Sequence, residues 1–335
     1  MILKGGITIA NNTILNPKVS IVLATYFPSE IFLIKQLTSL EHQTYENIEV
    51  LICDDSADDV QFFKIQDLAQ RCITKFSVTL LRNKMNIGSN KTFERLTKEA
   101  KGDFICYCDQ DDIWLPEKVE TLLRLAIDND SKLVYSDLSL INENDLMIHR
   151  SFKKSNFRLK HVYGENTFSH LVSRNSVSGC AMLIDSEIAK ASIPFPEKRI
   201  YVHDHWLAIC AAVKGKIAYS RKPLVLYRIH AGNQIGESRL KSIHNLNDYI
   251  KARLLDQIDR IDYLEKKLSL SKNNQILAKQ FSSLIQSRLH LLKNKKMTVT
   301  FLKTFKSDPV LFLFEVAIWI MGEKCFCIIL ERLRK

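Results

Sequence analysis

Residues 102–118, GDFICYCDQDDIWLPEK, constrain this chain more than any other stretch. A glycine turn leads into Phe104-Ile105-Cys106-Tyr107-Cys108, a short apolar run of the buried-strand type. Three carboxylates follow at once, Asp109, Asp111 and Asp112, and Pro116 marks a place where a helix can begin. Acidic residues at the C-terminal end of a buried strand sit where α/β proteins bind ligands. Two carboxylates spaced Asp-x-Asp can reach one hard divalent cation, Mg2+ or Mn2+, whose remaining positions phosphate oxygens can fill. Taken alone, the stretch is equally open to a solvated turn, because turns favour Asp.

The segments before it supply a context. Residues 19–24 read as a strand ending at Thr25-Tyr26, and Ser29 can cap a helix with Leu33, Leu37 and Leu40 on one face. IEVLIC at 48–53 is a second buried strand that ends in Asp54-Asp55-Ser56. A helix with Phe62, Ile65, Ala69 and Cys72 in register follows, then the strand SVTLLR at 77–82. Asn86-Ile87-Gly88 turns into a helix over about 90–100. Strands alternating with helices predict a parallel, doubly wound sheet with right-handed crossovers. In such a sheet Thr25/Tyr26, Asp54/Asp55, Asn86/Gly88 and Asp109/Asp111 all fall on one edge, which weighs against a mere turn.

Beyond the acidic cluster the pattern predicts a helix over 116–129 and the strand KLVYSD ending at Asp137. A polar, basic excursion spans 142–164. Strand character returns at 177–185, where Gly179 permits close backbone approach. A helix is predicted from about His203-Asp204, and the strand PLVLYR runs into the Gly-containing loop IHAGNQIGES. The chain divides by composition into a leader (1–17), an α/β domain (18–236) and a basic helical segment (237–335).

Net charge is +11, and residues 241–335 hold 18 Lys/Arg against 9 Asp/Glu, so +9 of it lies there. A basic appendage suits an anionic surface, either lipid headgroups or nucleic acid. No nucleic-acid recognition motif accompanies it, and an acidic cleft repels phosphates unless a cation intervenes, so nucleic acid is not the expected partner. The eight cysteines include no C-x-x-C, and several sit in apolar runs as small hydrophobes, which fits a reducing cytosol. Neither a secretory signal nor a spanning helix is expected.

At this point the residues resemble glycosyltransferase family 2 with the GT-A fold, over roughly residues 18–236. VSIVLATY, the Asp pair after the second strand, NIG, AKGDFICYCDQDDIW, SGCAMLI, HDHW and YRIHAGN occur in the family's order. DQDDIW with a late YRxHxxN resembles the subgroup that builds bacterial surface polysaccharides, often rhamnosyltransferases. The resemblance implies that Tyr26, with Thr25 beside it, stacks on a pyrimidine base, and that Asp55 accepts the N3–H of uracil or thymine. A uridine or thymidine diphosphate sugar is then the expected donor, with Asn86 and Gly88 lining its site. Asp109 would lie near the ribose, Asp111 would hold the metal, and His230 would be a late metal ligand, which favours Mn2+ over Mg2+. Arg228 is expected either to contact a phosphate oxygen or to be paired at the surface.

Asp204 matches the family's catalytic base, an inverting one that takes the acceptor hydroxyl's proton. Where the family has Glu before this Asp, this chain has His203, so acceptor contacts transfer less directly. Asp137, His203 and Trp206 are the candidate acceptor residues. A sugar nucleotidyltransferase is the competing enzyme class, although LATYFPSE lacks its Gly-rich basic loop. A catalytically silent scaffold that binds sugar nucleotides is a further alternative. Residues 310–322, VLFLFEVAIWIMG, are apolar, interrupted by Glu315 and too short to span a bilayer. Lys293, Lys295, Lys296, Lys303 and Lys306 precede them, and Arg332, Arg334 and Lys335 follow. That pattern predicts docking on the cytoplasmic face of a membrane, close to a glycan or lipid-linked acceptor. Packing on the catalytic domain or dimer formation is the competing use of these helices.

Overall fold

The computed structural model describes residues 7–8, 14–156, 159–230 and 243–334. The 231–242 part of the predicted loop lies outside the described residues, as do most of the leader, the side chains of Arg332 and Arg334, and Lys335. The chain separates into two compact units, Met1–His230 and Ala231–Lys335.

Unit 1 is built on a nine-stranded sheet. Its first half follows the predicted alternation: β1 (Val19–Thr25), α1 (Glu30–Glu41), β2 (Ile48–Asp54), α2 (Asp59–Cys72), β3 (Ser77–Arg82), α3 (Ser89–Glu99) and β4 (Phe104–Cys108). β1 lies between β2 and β4, β3 pairs with β2, and all three pairings are parallel. β2 is buried along its whole length, as a strand covered on both faces must be. Leu33, Leu37 and Leu40 of α1 and Ile65, Leu68 and Ala69 of α2 join Ile21, Leu23, Val50 and Ile52 in one core. The predicted Ser29 cap makes no side-chain bond, whereas Asp58 caps α2 through Gln61 N–H.

The second half departs from a purely parallel plan. After β5 (Ile113–Trp114) and α4 (Lys118–Asn129) come β6 (Ser131–Ile141) and β7 (Met147–His149). β8 (Met182–Asp185), α5 (His203–Lys214) and β9 (Lys216–Arg228) complete the unit. β8 runs antiparallel to both of its neighbours, β4 and β6. The sheet order is therefore β3-β2-β1-β4-β8-β6-β9-β5, with β7 paired to β6. β6 and β9 are parallel, while β5 returns antiparallel to β9. The strand predicted at 177–185 is shorter than expected, because Gly179–Ala181 form a 3₁₀ turn before β8. The excursion at 142–164 contains β7 and a short helix, Phe152–Ser155.

Unit 2 is helical. Leu246–Ile250 passes through a π turn at Lys251–Leu255 into α6 (Asp256–Lys267), followed by α7 (Lys272–Asn294), α8 (Val299–Ser307) and α9 (Pro309–Arg334). Gly322, at φ +75°, breaks the helical path inside α9. Tyr249, Leu254, Ile285, Leu292, Ile318 and Phe326 belong to its core. Glu315, the charge that interrupts the apolar run, is fully buried. It accepts from Arg288 Nε at 2.9 Å and Nη2 at 2.7 Å, and from the Tyr249 hydroxyl at 2.8 Å. Such a pair is satisfied only as a pair, because a lone buried ion keeps its desolvation cost. Glu315→Ala is expected to destabilise unit 2 by about 3–5 kcal/mol. Arg288→Met with Glu315→Leu should restore most of that loss. Urea unfolding followed by circular dichroism checks both, and a single variant as stable as the parent would contradict the assignment.

Candidate active site

The C-terminal ends of β1, β2, β3 and β4 meet along one edge and carry the polar residues singled out by their positions. Thr25 is buried and its hydroxyl donates to Asp54 Oδ1 at 3.2 Å, an oxygen that also receives the Ser56 hydroxyl at 2.7 Å. Ser56 Oγ in turn accepts the Phe27 amide at 2.8 Å, which fixes the turn carrying Tyr26. Tyr26 keeps its ring 47% exposed, edge-on to Phe27 at 5.0 Å. Asp55 is buried and accepts from Asn83 Nδ2 (2.8 Å), Ile87 N (2.9 Å) and Gly88 N (2.9 Å). Its carboxylate thus holds the NIG turn against the sheet edge. Asn86 Oδ1 accepts the Gly88 amide as well, at 3.0 Å. Gly88 adopts φ +80° just before α3, a conformation that suits glycine.

The acidic loop after β4 is organised by contacts distant in sequence. Gln110, between the two aspartates, accepts the Tyr26 amide at 2.8 Å and donates to the Tyr26 carbonyl at 3.3 Å. Asp111 Oδ2 lies 2.8 Å from His230 Nε2, so the two candidate metal ligands, 119 residues apart in sequence, are brought together. Asp112 is fully buried and accepts the Arg228 backbone N–H at 3.0 Å. Asp109 is half-buried, and its carboxyl is pushed up to about 7, first by burial and then by the charges of Asp111 and Asp204. Asp204, at the start of α5, lies beside this loop: it accepts the Gly179 amide, and the adjoining Cys180 thiol lies within 4.8 Å of an Asp109 carboxylate oxygen. Lys118 and Lys198 act on Asp109 in the opposite sense. Lys118 is fully buried with its ammonium over the Trp114 ring, and burial pulls it down to about 8.

The carboxylates around Asp109 favour a bound cation, since like charges press Asp109 toward its neutral form. Asp111 and His230 offer a carboxylate and an imidazole, a donor set that suits Mn2+ more readily than Mg2+. Asp109, Asp112 and Cys180 also place ligand atoms within 4.8 Å of one another. That cluster does not fit a hard cation bridging to phosphate. Burial holds the Cys180 thiol protonated, and Asp112 is enclosed and already committed to Arg228.

Asp204 is buried at the first turn of α5, where it accepts from Asn175 Nδ2 at 3.1 Å and from the Gly179 amide at 3.3 Å. The close approach expected at Gly179 is to this corner: a Cβ there would lie 2.8 Å from His203 Nε2. His203 packs against Phe93 at 4.2 Å, and burial drops its imidazole to about 3, so it stays neutral. Its amide donates to Asn90 Oδ1, while Asn90 Nδ2 donates to the Pro196 and Tyr201 carbonyls. One asparagine on α3 therefore fastens the loop that delivers Asp204.

Three candidates are placed differently from expectation. Arg228 is neither at the surface nor turned to a ligand. It is fully buried over Phe32, donates from Nε to the Asp111 carbonyl at 2.8 Å and pairs with Asp145. Its guanidinium therefore braces the acidic loop from behind. Trp206 is 2% exposed and donates to the Ser192 carbonyl, so α5 buries its face in the core. Asp137 is buried and accepts the Ser151 hydroxyl and the Lys153 amide, which closes the 142–164 excursion.

Glycosyl transferase family 2 is the family whose profile matches residues 20–189, a little over half of the chain. The chain belongs to that family. Relatives agree with this. The UDP-Glc:alpha-D-GlcNAc-diphosphoundecaprenol beta-1,3-glucosyltransferase WfgD of Escherichia coli is 28% identical over 193 residues, 57% of this chain and 69% of WfgD. The dTDP-rhamnosyl transferase RfbG of Shigella flexneri is 27% identical over 224 residues, 64% and 73% of the two chains. Among solved structures, S. aureus TarS 1-349 in complex with UDP-GlcNAc superposes with a TM-score of 0.57 at 19% identity, covering 91% of this chain and 79% of that one. Mannosyltransferase PcManGT from Pyrobaculum calidifontis, in complex with GDP-Man and Mn2+, gives 0.54 at 14% identity, covering 95% and 86%. At those identities the likeness is one of fold, the GT-A fold with a C-terminal helical region.

The transferase has site residues that its sequence did not disclose. Gln110, Asn83, Asn90 and Asn175 act through hydrogen bonds to partners far along the chain, and nothing local marks them. Lys118 had a signal, since it sits one turn before Leu122 on the apolar face of α4, where a lysine needs a reason. Asp55→Ala removes the acceptor for three donors at the NIG turn. With buried unpaired donors costing about 1–3 kcal/mol each, a net loss of roughly 2–4 kcal/mol is expected, allowing water to reach the outer amides. Chemical denaturation measures it, and unchanged stability would mean that Asn86 alone holds the turn.

Proposed function

We propose that this transferase is an inverting, metal-dependent enzyme that moves a sugar from a uridine or thymidine diphosphate donor to a hydroxyl of a lipid-linked glycan during bacterial surface polysaccharide synthesis. The observation that carries the proposal is the 2.8 Å approach of Asp111 and His230 in front of β4, with Asp204 beside the same loop through Gly179 and Cys180. The donor's base would lie on the exposed Tyr26 ring, with Asp55 accepting its N3–H, and Thr25, Asn86 and Gly88 shape that end of the site. Asp109 would hold the ribose. Asp111 and His230 would hold the cation, which when bound offsets the charge growing on the departing diphosphate.

The chain's own work in the reaction falls to Asp204. It is buried and held in place by Asn175 and Gly179, so in its ionised form one carboxylate oxygen can take the acceptor hydroxyl's proton. The hydroxyl oxygen then bonds to the anomeric carbon as the bond to the nucleoside diphosphate breaks on the opposite side. Neutral His203 contributes packing rather than proton transfer. The activities that name WfgD and RfbG make UDP-glucose and dTDP-rhamnose the first donors to try, and the GlcNAc-diphosphoundecaprenol of WfgD makes a diphosphate-linked lipid the first acceptor. The family assignment displaces the nucleotidyltransferase alternative, and donor turnover separates an active enzyme from a silent scaffold.

Two substitutions test the roles. Asp111→Ala should abolish Mn2+-dependent donor binding, read as loss of the thermal shift that a ligand gives to the native state. An undiminished shift would remove Asp111 from the metal site. Asp204→Asn keeps shape and an acceptor oxygen but cannot take a proton, so donor binding should persist while turnover falls about 10²- to 10⁴-fold. Turnover equal to the parent's would place the base elsewhere.

A further inference from the structure

Unit 2 exposes large apolar side chains where a water-facing helix pair should be polar. α8 buries Phe301 and Thr304, while its outer face presents Val299 (82% exposed), Leu302 (51%) and Phe305 (52%). Phe305 meets Phe312 of α9 at 5.4 Å, and Phe301 stacks on the same ring at 5.0 Å, so the apolar surface of α8 continues into α9. There Val310, Leu313, Ile320 and Met321 are all exposed. Their spacing of three, seven and one places them on one stripe of a 3.6-residue helix, opposite buried Glu315 and Ile318. The stripe stops at Gly322, where the helical path breaks. The apolar run thus has two faces: one is core, pinned by Arg288 and Glu315, and the other is exposed among the described residues.

Charge selects what covers it. Lys303 and Lys306 lie among the exposed apolar residues of α8, and Lys293, Lys295, Lys296 and the exposed Met297 lead into it. The turn that carries them is fixed, since Trp319 Nε1 donates to the Lys295 carbonyl at 3.0 Å. Of the acids in this stretch, Glu315 is neutralised inside the core, and Asp308 caps α9 through the Leu311 amide. A second copy of the chain would set lysines against lysines across the contact, which opposes pairing. No helix among the described residues is long and apolar enough to cross a bilayer. We propose that the outer faces of α8 and of Val310–Met321 lie in the headgroup region of an anionic bilayer, inserting Val299, Leu302, Phe305 and Leu313 while the five lysines bind lipid phosphates. Apolar insertion combined with a polybasic patch is the pairing of signals that peripheral attachment needs. The inference deepens the lipid-linked acceptor proposal and rests on it for its purpose, but lipid binding is measured without donor or acceptor.

The test is co-sedimentation of the full chain with phosphatidylcholine vesicles, with and without phosphatidylglycerol, at low and high salt. Most of the protein is expected to pellet with the anionic vesicles at low salt, and recovery should fall as salt screens the lysines. Lys303→Glu with Lys306→Glu should weaken partitioning by tenfold or more, on the scale set by juxtamembrane lysines. Leu302→Ser with Phe305→Ser should weaken it further. Both double variants change exposed positions, and circular dichroism verifies their fold. Recovery in the supernatant under all four conditions, or equal binding to neutral and anionic vesicles, would overturn the proposal. So would a parent dimer in light scattering that the Leu302/Phe305 variant abolishes, which would assign the face to self-association. Donor hydrolysis in the same variants keeps the two proposals apart: retained hydrolysis with lost vesicle binding supports docking through this face, whereas vesicle binding by a parent that turns over no donor refutes only the enzyme mechanism.

Discussion

The junction of Arg228 with the loop after β4 holds the rest of the site in place. An arginine carries its charge at any pH a protein meets, so burying it demands partners in fixed positions. Here its backbone N–H goes to Asp112, its Nε to the Asp111 carbonyl and its Nη1 to Asp145 and the Asn142 carbonyl. These contacts bind the end of β9 to the acidic loop and to the turn between β6 and β7. His230 follows two residues later and therefore arrives opposite Asp111 because Arg228 has nowhere else to go. Arg228, expected either to contact a phosphate oxygen or to be paired at the surface, is buried and braces the loop from behind.

Charge distribution around that loop has two levels. Behind it, fully buried Lys118 lies among the thiols of Cys106, Cys108 and Cys180 and the carboxyl of Asp112. In front, Asp109 feels the charges of Asp111 and Asp204, and Lys118 and Lys198 act against them. On the proposed reading, the open side would gain a cation and a substrate, and binding energy would be released there and not during folding.

Much of the nucleotide half was legible in the sequence because its signals are local. β1, β2 and β4 are apolar runs followed directly by carboxylates, and a parallel sheet must collect such ends on one edge. The direction of β8 was not legible, since four residues, Met182–Asp185, carry no mark of orientation; the neighbours β4 and β6 decide it. Side-chain direction failed in a similar way at Trp206. α5 is buried around almost its whole circumference, from Asp204 to Ala212, so no polar face existed to orient the tryptophan. Arg228 and Asp137 depend on partners that the chain reaches only after folding, Asp145 for one and Ser151 for the other. The outer stripe of α9 was half legible: the run and its lysines stood out, but only packing could divide it into a core face and a free face.

The reversed strand β8 has a consequence for how such a protein can change. In every parallel strand of the nucleotide half it is the exit that meets the ligand edge, and the entry is tied to the far side. β8 presents its entry instead, because Leu183 pairs with Cys106 and Asp185 with Phe104 in opposite sense. What precedes it, from Asn175 through Gly179, therefore reaches Asp204 as an incoming lead that the strand's pairing does not restrain. Lengthening or rewriting that lead leaves the exits of β1 to β4 in register. A lineage built on this plan can rewrite the Asp204 side of the edge while conserving the side formed by β1 to β4.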